Sequence, residues 1–211
     1  MILFFRKIPI SIVLLLSIVS FVYVLPLLGN SALIELFNSI SYSLMLLSIF
    51  SIIDNKTRFL KYIIIATLVL IWMMYFSPYA LVKYIAFLLS VMVFIIATII
   101  MIKQIVSSKT VSGKVIVEVI CGYLLIGVIL GFLNRVLLWI NPEAIGLDGS
   151  STMSDIVYYS FITVTTIGYG DISPVSPAAK SLSILFGVIG QLYLTIIIAL
   201  IIGKFLNSKN K

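Results

Sequence analysis

Six long apolar stretches constrain most strongly what this chain can fold into. Of its 211 residues, 62% are hydrophobic and 10% are charged, whereas a soluble domain is about half apolar and a quarter charged. A helix that crosses a hydrocarbon core of ~30 Å needs ~20 apolar residues. Stretches of about that length lie at 8–28, 32–53, 59–76, 79–102, 115–140 and 177–206. We therefore expect an all-α membrane protein with six transmembrane helices.

A short motif before the last apolar stretch has the composition of a backbone cation site. Carbonyl oxygens of successive residues can face one axis only if the backbone alternates between right- and left-handed conformations. Glycine enters the left-handed region without a steric penalty, so Gly168 and Gly170 suit alternate positions. The side chains of Ile167 and Tyr169 would then turn away from the axis. The motif reads Thr165, Thr166, Ile167, Gly168, Tyr169 and Gly170.

The residues on either side of this motif predict helices. Residues 153–164 form a short, largely apolar segment, and Thr152 and Asp155 match a capping box at its start. With ~12 residues, this helix is too short to cross a membrane and would be re-entrant. The long helix after the motif is expected to begin at Ser176-Pro177, with serine as the N-cap and proline at the first helical position.

From about residue 115 onward, the chain resembles potassium channels. The four earlier stretches match only the general layout of the bacterial type, which has six spans and a single pore loop, and the chain lacks a charged voltage-sensor helix. The resemblance implies that the motif is a selectivity filter, which binds K⁺ at Thr166, Ile167, Gly168 and Tyr169. Since the sequence holds one copy of the motif, a complete filter implies a four-fold homotetramer. The resemblance also implies that the segment 153–164 is a pore helix and that the long helix after the filter is an inner helix.

Three residues near the filter are expected to support it. The resemblance places Tyr158 and Tyr159 where many potassium channels carry an aromatic cuff. It implies a hydrogen bond between Tyr159 and Asp171 behind the filter. Asp171 would also leave a ring of carboxylates at the mouth, which raises the local cation concentration. Some relatives carry a glutamate in the pore helix at the position of Ile162, so behaviour that depends on that acid is not expected here.

The distribution of charge predicts the orientation. If the amino terminus is cytoplasmic, the inner side receives eleven basic residues and the outer side receives three, which are Lys83, Arg135 and Lys180. The inner set comprises Arg6, Lys7, Lys56, Arg58, Lys61, Lys103, Lys109, Lys114, Lys204, Lys209 and Lys211. Four acidic residues, Glu143, Asp148, Asp155 and Asp171, fall in the loop between the last two spans. The expected location is the plasma or inner membrane, with both termini cytoplasmic and with anionic lipids as candidate partners at the inner face.

The fourth apolar stretch lacks a ladder of basic residues. Between positions 80 and 102, Lys83 is the single basic residue. Moving one charge through the membrane field yields ~2.3 kcal/mol per 100 mV, so one lysine cannot supply steep voltage gating. We therefore expect a channel that is not steeply voltage-gated.

The last span contains candidate hinge and gate residues. Gly190 lies where related channels often have a gating hinge, although close helix packing explains a mid-membrane glycine equally well. Packing is the favoured interpretation for Gly187. Gln191 is a polar residue expected to face a water-filled cavity. A hydrophobic ring at the inner mouth is expected from side chains spaced four residues apart, namely Ile198, Ile202 and Leu206.

These features give a domain layout and exclude several functions. We expect a four-helix peripheral region at 1–103, a cytoplasmic linker at 104–114, a pore domain at 115–207 and a short tail at 208–211. The chain contains no histidine, and no nucleophile–base pair or metal cluster suggests an enzyme. No cofactor is expected beyond K⁺ as the permeant ion, and no nucleic-acid partner. The alternatives are a non-selective cation channel and a pore-type subunit of a K⁺ uptake transporter.

Overall fold

The computed structural model describes residues 10–28, 32–53, 58–76, 79–108, 111–147 and 152–209. Six of the charges that predict the orientation lie outside the described residues, namely Arg6, Lys7, Lys56, Lys109, Asp148 and Lys211. Within the described residues the chain is helical, which confirms the all-α expectation. The helices are α1 (Ile10–Val19), α2 (Ala32–Ile52), α3 (Arg58–Phe76), α4 (Ala80–Ser107), α5 (Gly113–Ile140), α6 (Met153–Val164) and α7 (Pro177–Lys209).

The end of α1 changes its winding before a proline. The helix passes into one π turn at Ser20–Val24 and one 3₁₀ turn at Leu25–Leu28. Pro26 has no N–H to donate to the preceding turn, and its ring clashes with the carbonyl four residues earlier. A regular α-helix therefore cannot continue unchanged through this point, and the winding adjusts on either side.

Three of the described helices are long and apolar enough to cross a membrane, judged by length and composition. They are Lys83–Ser107 in α4, Gly113–Ile140 in α5 and Pro177–Leu206 in α7. Shorter apolar helices lie in the first three predicted spans, at Ile10–Val24, Leu36–Ile52 and Leu60–Met73. The chain is therefore a membrane protein with apolar helices at all six predicted places, and the number of spans stays a prediction.

The first of two compact units comprises Met1–Ile105 and Ser112–Cys121. In its described part, α1 packs on α2 and α2 on α3, and these helices carry buried side chains such as Leu14, Met45 and Ile64. The carboxylate of Glu118 is buried beside Ser11, whose hydroxyl donates to it over 3.4 Å. Lys114, one turn earlier in the same helix, lies 3.6 Å from the same carboxylate and forms an ion pair with it.

The second unit comprises Val106–Val111 and Gly122–Lys211, so the helix α5 contributes residues to both units. In this unit α6 packs against α7, and a small core forms around Tyr159 and the loop that follows α5. Near the carboxyl end of α7, the ammonium of Lys204 donates to the backbone carbonyl of Val106 at 2.7 Å. The four predicted regions divide the chain differently from these two units, and they stay a prediction.

Candidate functional site

The short helix α6 spans the residues that the sequence predicts, Met153–Val164. At its start, the carboxylate of Asp155 accepts hydrogen bonds from the backbone N–H of Thr152 at 2.7 Å and from its hydroxyl at 2.8 Å. At its end, the N–H of Thr165 donates to the carbonyl of Phe161 at 2.9 Å. The capping arrangement fixes where the helix begins, and hence which residues emerge from its carboxyl end.

The backbone beyond α6 alternates in handedness. Gly168 has a φ of 57° and Gly170 a φ of 81°, so both adopt the left-handed conformation for which the sequence selects glycine. Thr166 also has a positive φ, of 60°, which the sequence gives no reason to expect. A β-branched residue is rare in this region, and such strain costs of order 1–3 kcal/mol. Left-handed residues therefore recur at every second position, 166, 168 and 170.

Two backbone hydrogen bonds determine where the intervening carbonyls point. The N–H of Thr166 donates to the carbonyl of Thr163, and the N–H of Gly168 donates to the carbonyl of Ile162, both at 3.1 Å. The described peptide bonds are not cis, and in a trans peptide the C=O points opposite to the N–H. The carbonyls of Thr165 and Ile167 are therefore directed away from α6, on the same side of the strand.

The side chains of the motif divide into two groups. The hydroxyl of Thr165 turns back to donate to the carbonyl of Phe161 at 2.7 Å. Ile167 and Tyr169 are 54% and 72% exposed in the single chain, and Thr166, Gly168 and Gly170 are also exposed. The motif is thus a strand with its amides tied to α6 at two points and with most of its side chains uncovered by the rest of the chain.

The tyrosine that bonds Asp171 is Tyr158, so the pairing expected between Tyr159 and Asp171 is wrong by one residue. The phenol of Tyr158 donates to Oδ2 of Asp171 at 2.7 Å. The phenol oxygen of Tyr159 lies 2.6 Å from the hydroxyl of Ser183 on α7. Successive residues of a helix are rotated by about 100°, so the two rings leave α6 in different directions. One tyrosine supports the motif and its neighbour joins α6 to α7.

The Tyr158–Asp171 hydrogen bond also changes the acidity of both groups. It lowers the pKa of Asp171 below the ordinary value, because the donated proton stabilises the carboxylate. The same bond raises the pKa of Tyr158, because the neutral phenol is the donor. The carboxylate therefore stays ionised near the mouth of the motif at neutral pH.

A small apolar core lies behind the motif, on the side of Tyr159. Ala144, Ile145, Tyr159 and Ala179 are buried together. The loop after α5 is hydrogen-bonded to the segment after the motif, through the N–H of Gly146 and the carbonyl of Ser173 at 2.9 Å. The N–H of Val175 also donates to the carbonyl of Ala144 at 2.9 Å. The sequence predicts a loop between the last two spans and gives no sign of this pairing.

The start of α7 follows the sequence prediction. Pro177 is its first residue, and the hydroxyl of Ser176 accepts the N–H of Ala179 at 3.1 Å. The serine thus satisfies one of the free amides of the first turn. This cap fixes the register in which α7 passes the carboxyl end of α6.

Gly190 lies where α7 passes closest to the end of α6. A Cβ atom at this glycine would overlap the carbonyl oxygen of Val164 and lie 2.9 Å from its Cγ1. The same carbonyl accepts a hydrogen bond from the phenol of Tyr123 at 3.4 Å. At Gly187, in contrast, the one atom of the described residues within 4 Å of a Cβ would be the carbonyl oxygen of Thr163, at 3.9 Å. Within one chain, close packing explains the glycine at 190 and gives no reason for the glycine at 187.

Gln191 reaches the motif itself. Its Nε2 donates to Oγ1 of Thr166 at 2.9 Å, which links α7 directly to the first left-handed residue. The candidate gate residues Ile198, Ile202 and Leu206 lie further along α7 and are 52%, 54% and 57% exposed in the single chain. A ring of these side chains requires neighbouring copies, so one chain does not bring them together.

The comparisons with known proteins match this part of the chain. A protein-family model described as "Ion channel" matches residues 119–207. "Two-pore potassium channel 2" of Arabidopsis thaliana is 30% identical over 92 residues, which cover 44% of this chain and 19% of the relative. "Two-pore potassium channel 3" of the same plant is 35% identical over 77 residues, which cover 36% of this chain and 16% of the relative.

A rice relative gives a shorter alignment. "Two pore potassium channel c" of Oryza sativa subsp. japonica is 45% identical over 47 residues, which cover 22% of this chain and 10% of the relative. The chain spans no more than about a fifth of the length of these relatives. No solved structure gives a significant match. The matched family and the relatives are ion channels, which are not enzymes, and the resemblance to potassium channels is confirmed.

Proposed function

We propose that this chain, whose residues 119–207 match a family model described as "Ion channel", is a member of the potassium channel family and forms a potassium-selective channel from four identical copies. The channel conducts K⁺ passively. K⁺ is bound by Thr166, Ile167, Gly168 and Tyr169, and Thr165 and Gly170 complete the filter. The ion is the permeant species, and the proposal requires no cofactor.

The observation that carries the proposal is the alternating backbone of the filter. Left-handed residues at Thr166, Gly168 and Gly170 alternate with the residues between them. The amides of Thr166 and Gly168 are held by the pore helix α6, so the carbonyls of Thr165 and Ile167 face the other way. Stacked carbonyl oxygens from four such strands replace the hydration shell of a K⁺ ion.

The exposure of the inner helix α7 supports a symmetric assembly. In the most apolar 18-residue stretch of α7, 22% is buried within the chain, whereas the corresponding share in α5 is 61%. Ile167 and Tyr169 of the filter are also largely exposed. A helix that lines a shared axis, and a strand that completes a four-stranded filter, obtain their remaining contacts from neighbouring copies. Four-fold symmetry follows because each chain contributes one strand.

The membrane orientation follows from the charge pattern. We infer cytoplasmic amino and carboxyl termini in the plasma or inner membrane, since eleven of the basic residues then lie on the inner side and three on the outer. The three lysines of the segment 103–114 would lie near anionic lipid headgroups, each contributing ~1 kcal/mol near the surface, and Lys114 also pairs with Glu118. With this orientation the carboxylate of Asp171 lies at the outer mouth of the filter.

Gating is proposed to be weakly dependent on voltage. Lys83 is the single basic residue among the first twenty residues of α4, and one charge cannot drive steep voltage-dependent opening. A ring at Ile198 or Ile202 would close the inner mouth by excluding water. Gly190 remains the candidate hinge, although its close approach to Val164 makes it a packing residue as well.

Reversal potentials in planar bilayers test the function directly. The purified protein should carry currents whose reversal potential follows the K⁺ gradient when Na⁺ replaces K⁺ on one side. Equal permeability to both ions would favour the non-selective channel, and the absence of current would favour the transporter subunit. Native mass spectrometry should give a protein mass four times 23.4 kDa. A conducting particle of any other stoichiometry would contradict the four-stranded filter.

A further inference from the structure

The inner helix places a donor on the innermost filter threonine. Nε2 of Gln191 lies 2.9 Å from Oγ1 of Thr166, across 25 positions of sequence. The amide nitrogen of glutamine can only donate, so the hydroxyl oxygen is the acceptor in this bond. The preceding residue, Gly190, has no Cβ to separate α7 from Val164. This close approach brings the glutamine side chain within reach of the filter.

Thr166 differs from the other two threonines of this region in its partner. The hydroxyl of Thr163 donates to the carbonyl of Tyr159 at 2.8 Å, and that of Thr165 donates to the carbonyl of Phe161 at 2.7 Å. Both bonds are local to the pore helix. Thr166 is in the left-handed conformation, beyond the helix, and its hydroxyl is bonded instead by a side chain of α7.

We propose that Gln191 is a positioning residue for the innermost K⁺ site: it fixes the hydroxyl of Thr166 so that the oxygen faces the ion. A hydroxyl oxygen has two lone pairs. If one accepts the amide of Gln191, the second is left in a defined direction for the cation. Without the amide, the side chain of Thr166 is free to rotate about χ1, and the oxygens of four copies no longer form a ring of fixed diameter.

This inference rests on the proposed function, because it assigns Gln191 to the ion site of that filter. A neutral hydrogen bond contributes roughly 1 kcal/mol, which is about a five-fold change in an equilibrium constant. We therefore expect Gln191→Met, which keeps the length of the side chain and removes the donor, to raise the half-saturating K⁺ concentration of the conductance about five-fold. The saturating conductance should change less, since the remaining filter sites are intact.

The matched control lies one turn further along the same helix. The hydroxyl of Thr195 donates to the backbone carbonyl of Gln191 at 2.8 Å and makes a bond internal to α7. Thr195→Val removes a polar group of α7 with little change in shape, and it should leave the half-saturating concentration unchanged. Gln191→Asn keeps the amide but is one methylene shorter, so it should behave as Gln191→Met does.

A double-mutant cycle separates positioning from a merely structural role. Thr166→Val removes the hydroxyl that Gln191 contacts and has its own effect on conduction. If Gln191 acts through that hydroxyl, Gln191→Met should raise the half-saturating K⁺ concentration when Thr166 is present. In a channel that already carries Thr166→Val, it should have no further effect. An equal effect in both backgrounds, or none in either, would overturn the proposal.

The experiment uses full-length tetramers in planar bilayers, with tetramer assembly of each variant checked by native mass spectrometry. If Gln191→Met does not assemble, Gln191→Asn takes its place in the same cycle. If both variants lose assembly while Thr195→Val retains it, Gln191 is a packing residue and the proposal fails. Failure of the proposed function is a distinct result, because the unmodified channel would then show no K⁺ selectivity in the same bilayers.

Discussion

The phenol of Tyr158 donates a 2.7 Å hydrogen bond to Oδ2 of Asp171, which ties the pore helix α6 to the residue that follows Gly170. The filter motif is therefore attached to α6 at both ends, because the backbone N–H groups of Thr166 and Gly168 also donate to carbonyls of α6. A strand with left-handed residues at alternate positions is strained, and it persists only where its surroundings hold it in place. The Tyr158–Asp171 bond is one of these restraints.

We predict that Tyr158→Phe makes conduction sensitive to external acid at a higher pH. The bond from Tyr158 lowers the pKa of Asp171, so its stabilising contribution is complete above the unfolded pKa of that carboxyl. It is lost as the pH falls through the lowered folded pKa. Without the phenol the folded pKa of Asp171 moves up, so the carboxylate is protonated, and its negative charge is lost, at a higher external pH. Current recorded against external pH measures the shift.

Tyr159→Phe is the control for that experiment, because Tyr159 bonds Ser183 and makes no bond to Asp171. It should leave the pH dependence of the current unchanged. A shift of the same size in both variants would mean that a general loosening of α6 is responsible, and the specific role of Tyr158 would be wrong.

We predict that Gly168→Ala abolishes K⁺ current while the protein still assembles. Gly168 has a φ of 57°, and a Cβ in the left-handed region costs about 1–2 kcal/mol in each of the four strands. Space is not the limit, since an added Cβ would have no neighbour within 4 Å in the chain. The expected defect is therefore in the conformation of the filter. Bilayer currents and native mass measured on the same preparation test both parts.

Gly187→Ala is the matched control for a glycine substitution in this region. Its added Cβ would meet only the carbonyl of Thr163, at 3.9 Å, which is an ordinary contact. In a helix, alanine is favoured over glycine by ~1 kcal/mol. Normal K⁺ current is expected from this variant. Normal current from Gly168→Ala as well would contradict the filter assignment.

The sequence predicts most of the local structure of the pore region. The bounds of α6, the Thr152–Asp155 cap and the start of α7 at Pro177 depend on residues within one turn of each other. Patterns of that length are visible in a sequence. The positive φ of Gly168 and Gly170 follows from the same kind of local preference, as glycine is the residue that tolerates it.

The contacts that the sequence does not predict join residues far apart in the chain. The bond from Gln191 to Thr166 depends on the distance and register between α7 and the filter. Which tyrosine contacts Asp171 depends on how far α6 is rotated about its axis, and one residue of error reverses the assignment. Thr166 is left-handed although a β-branched residue disfavours a positive φ, so no local sequence pattern predicts this conformation.

We predict that Gly190→Ala lowers the thermal stability of the tetramer in addition to any effect on opening. The added Cβ would overlap the backbone carbonyl of Val164, which cannot move without disturbing the end of α6. Overpacking of this kind costs about 1–3 kcal/mol per site. Thermal unfolding followed by the loss of tetramer measures it. A hinge role alone predicts a lower open probability with unchanged stability.

Gly203→Ala is the control for the substitution at Gly190. It lies on the same helix, and a Cβ there would have no neighbour within 4 Å among the residues that the structure describes. It should leave the melting temperature unchanged or raise it slightly, because alanine is the better helix former. A stability loss of the same size in both variants would show that the loss at Gly190 does not come from the contact with Val164.

The last prediction concerns the inner gate. Ile198→Ser or Ile202→Ser should raise the open probability, because a hydroxyl allows water into a constriction that an apolar ring keeps dry. The two isoleucines are four residues apart and share one face of α7, where both are about half exposed in the single chain. Ile196 is the matched control: it is 52% exposed, but two residues from Ile198 it lies on the opposite side of the helix. Ile196→Ser should therefore leave the open probability unchanged in single-channel recordings. If the serine variants at 198 and 202 behave like the variant at 196, the inner ring is not the gate, and opening is controlled at the filter between Thr166 and Tyr169.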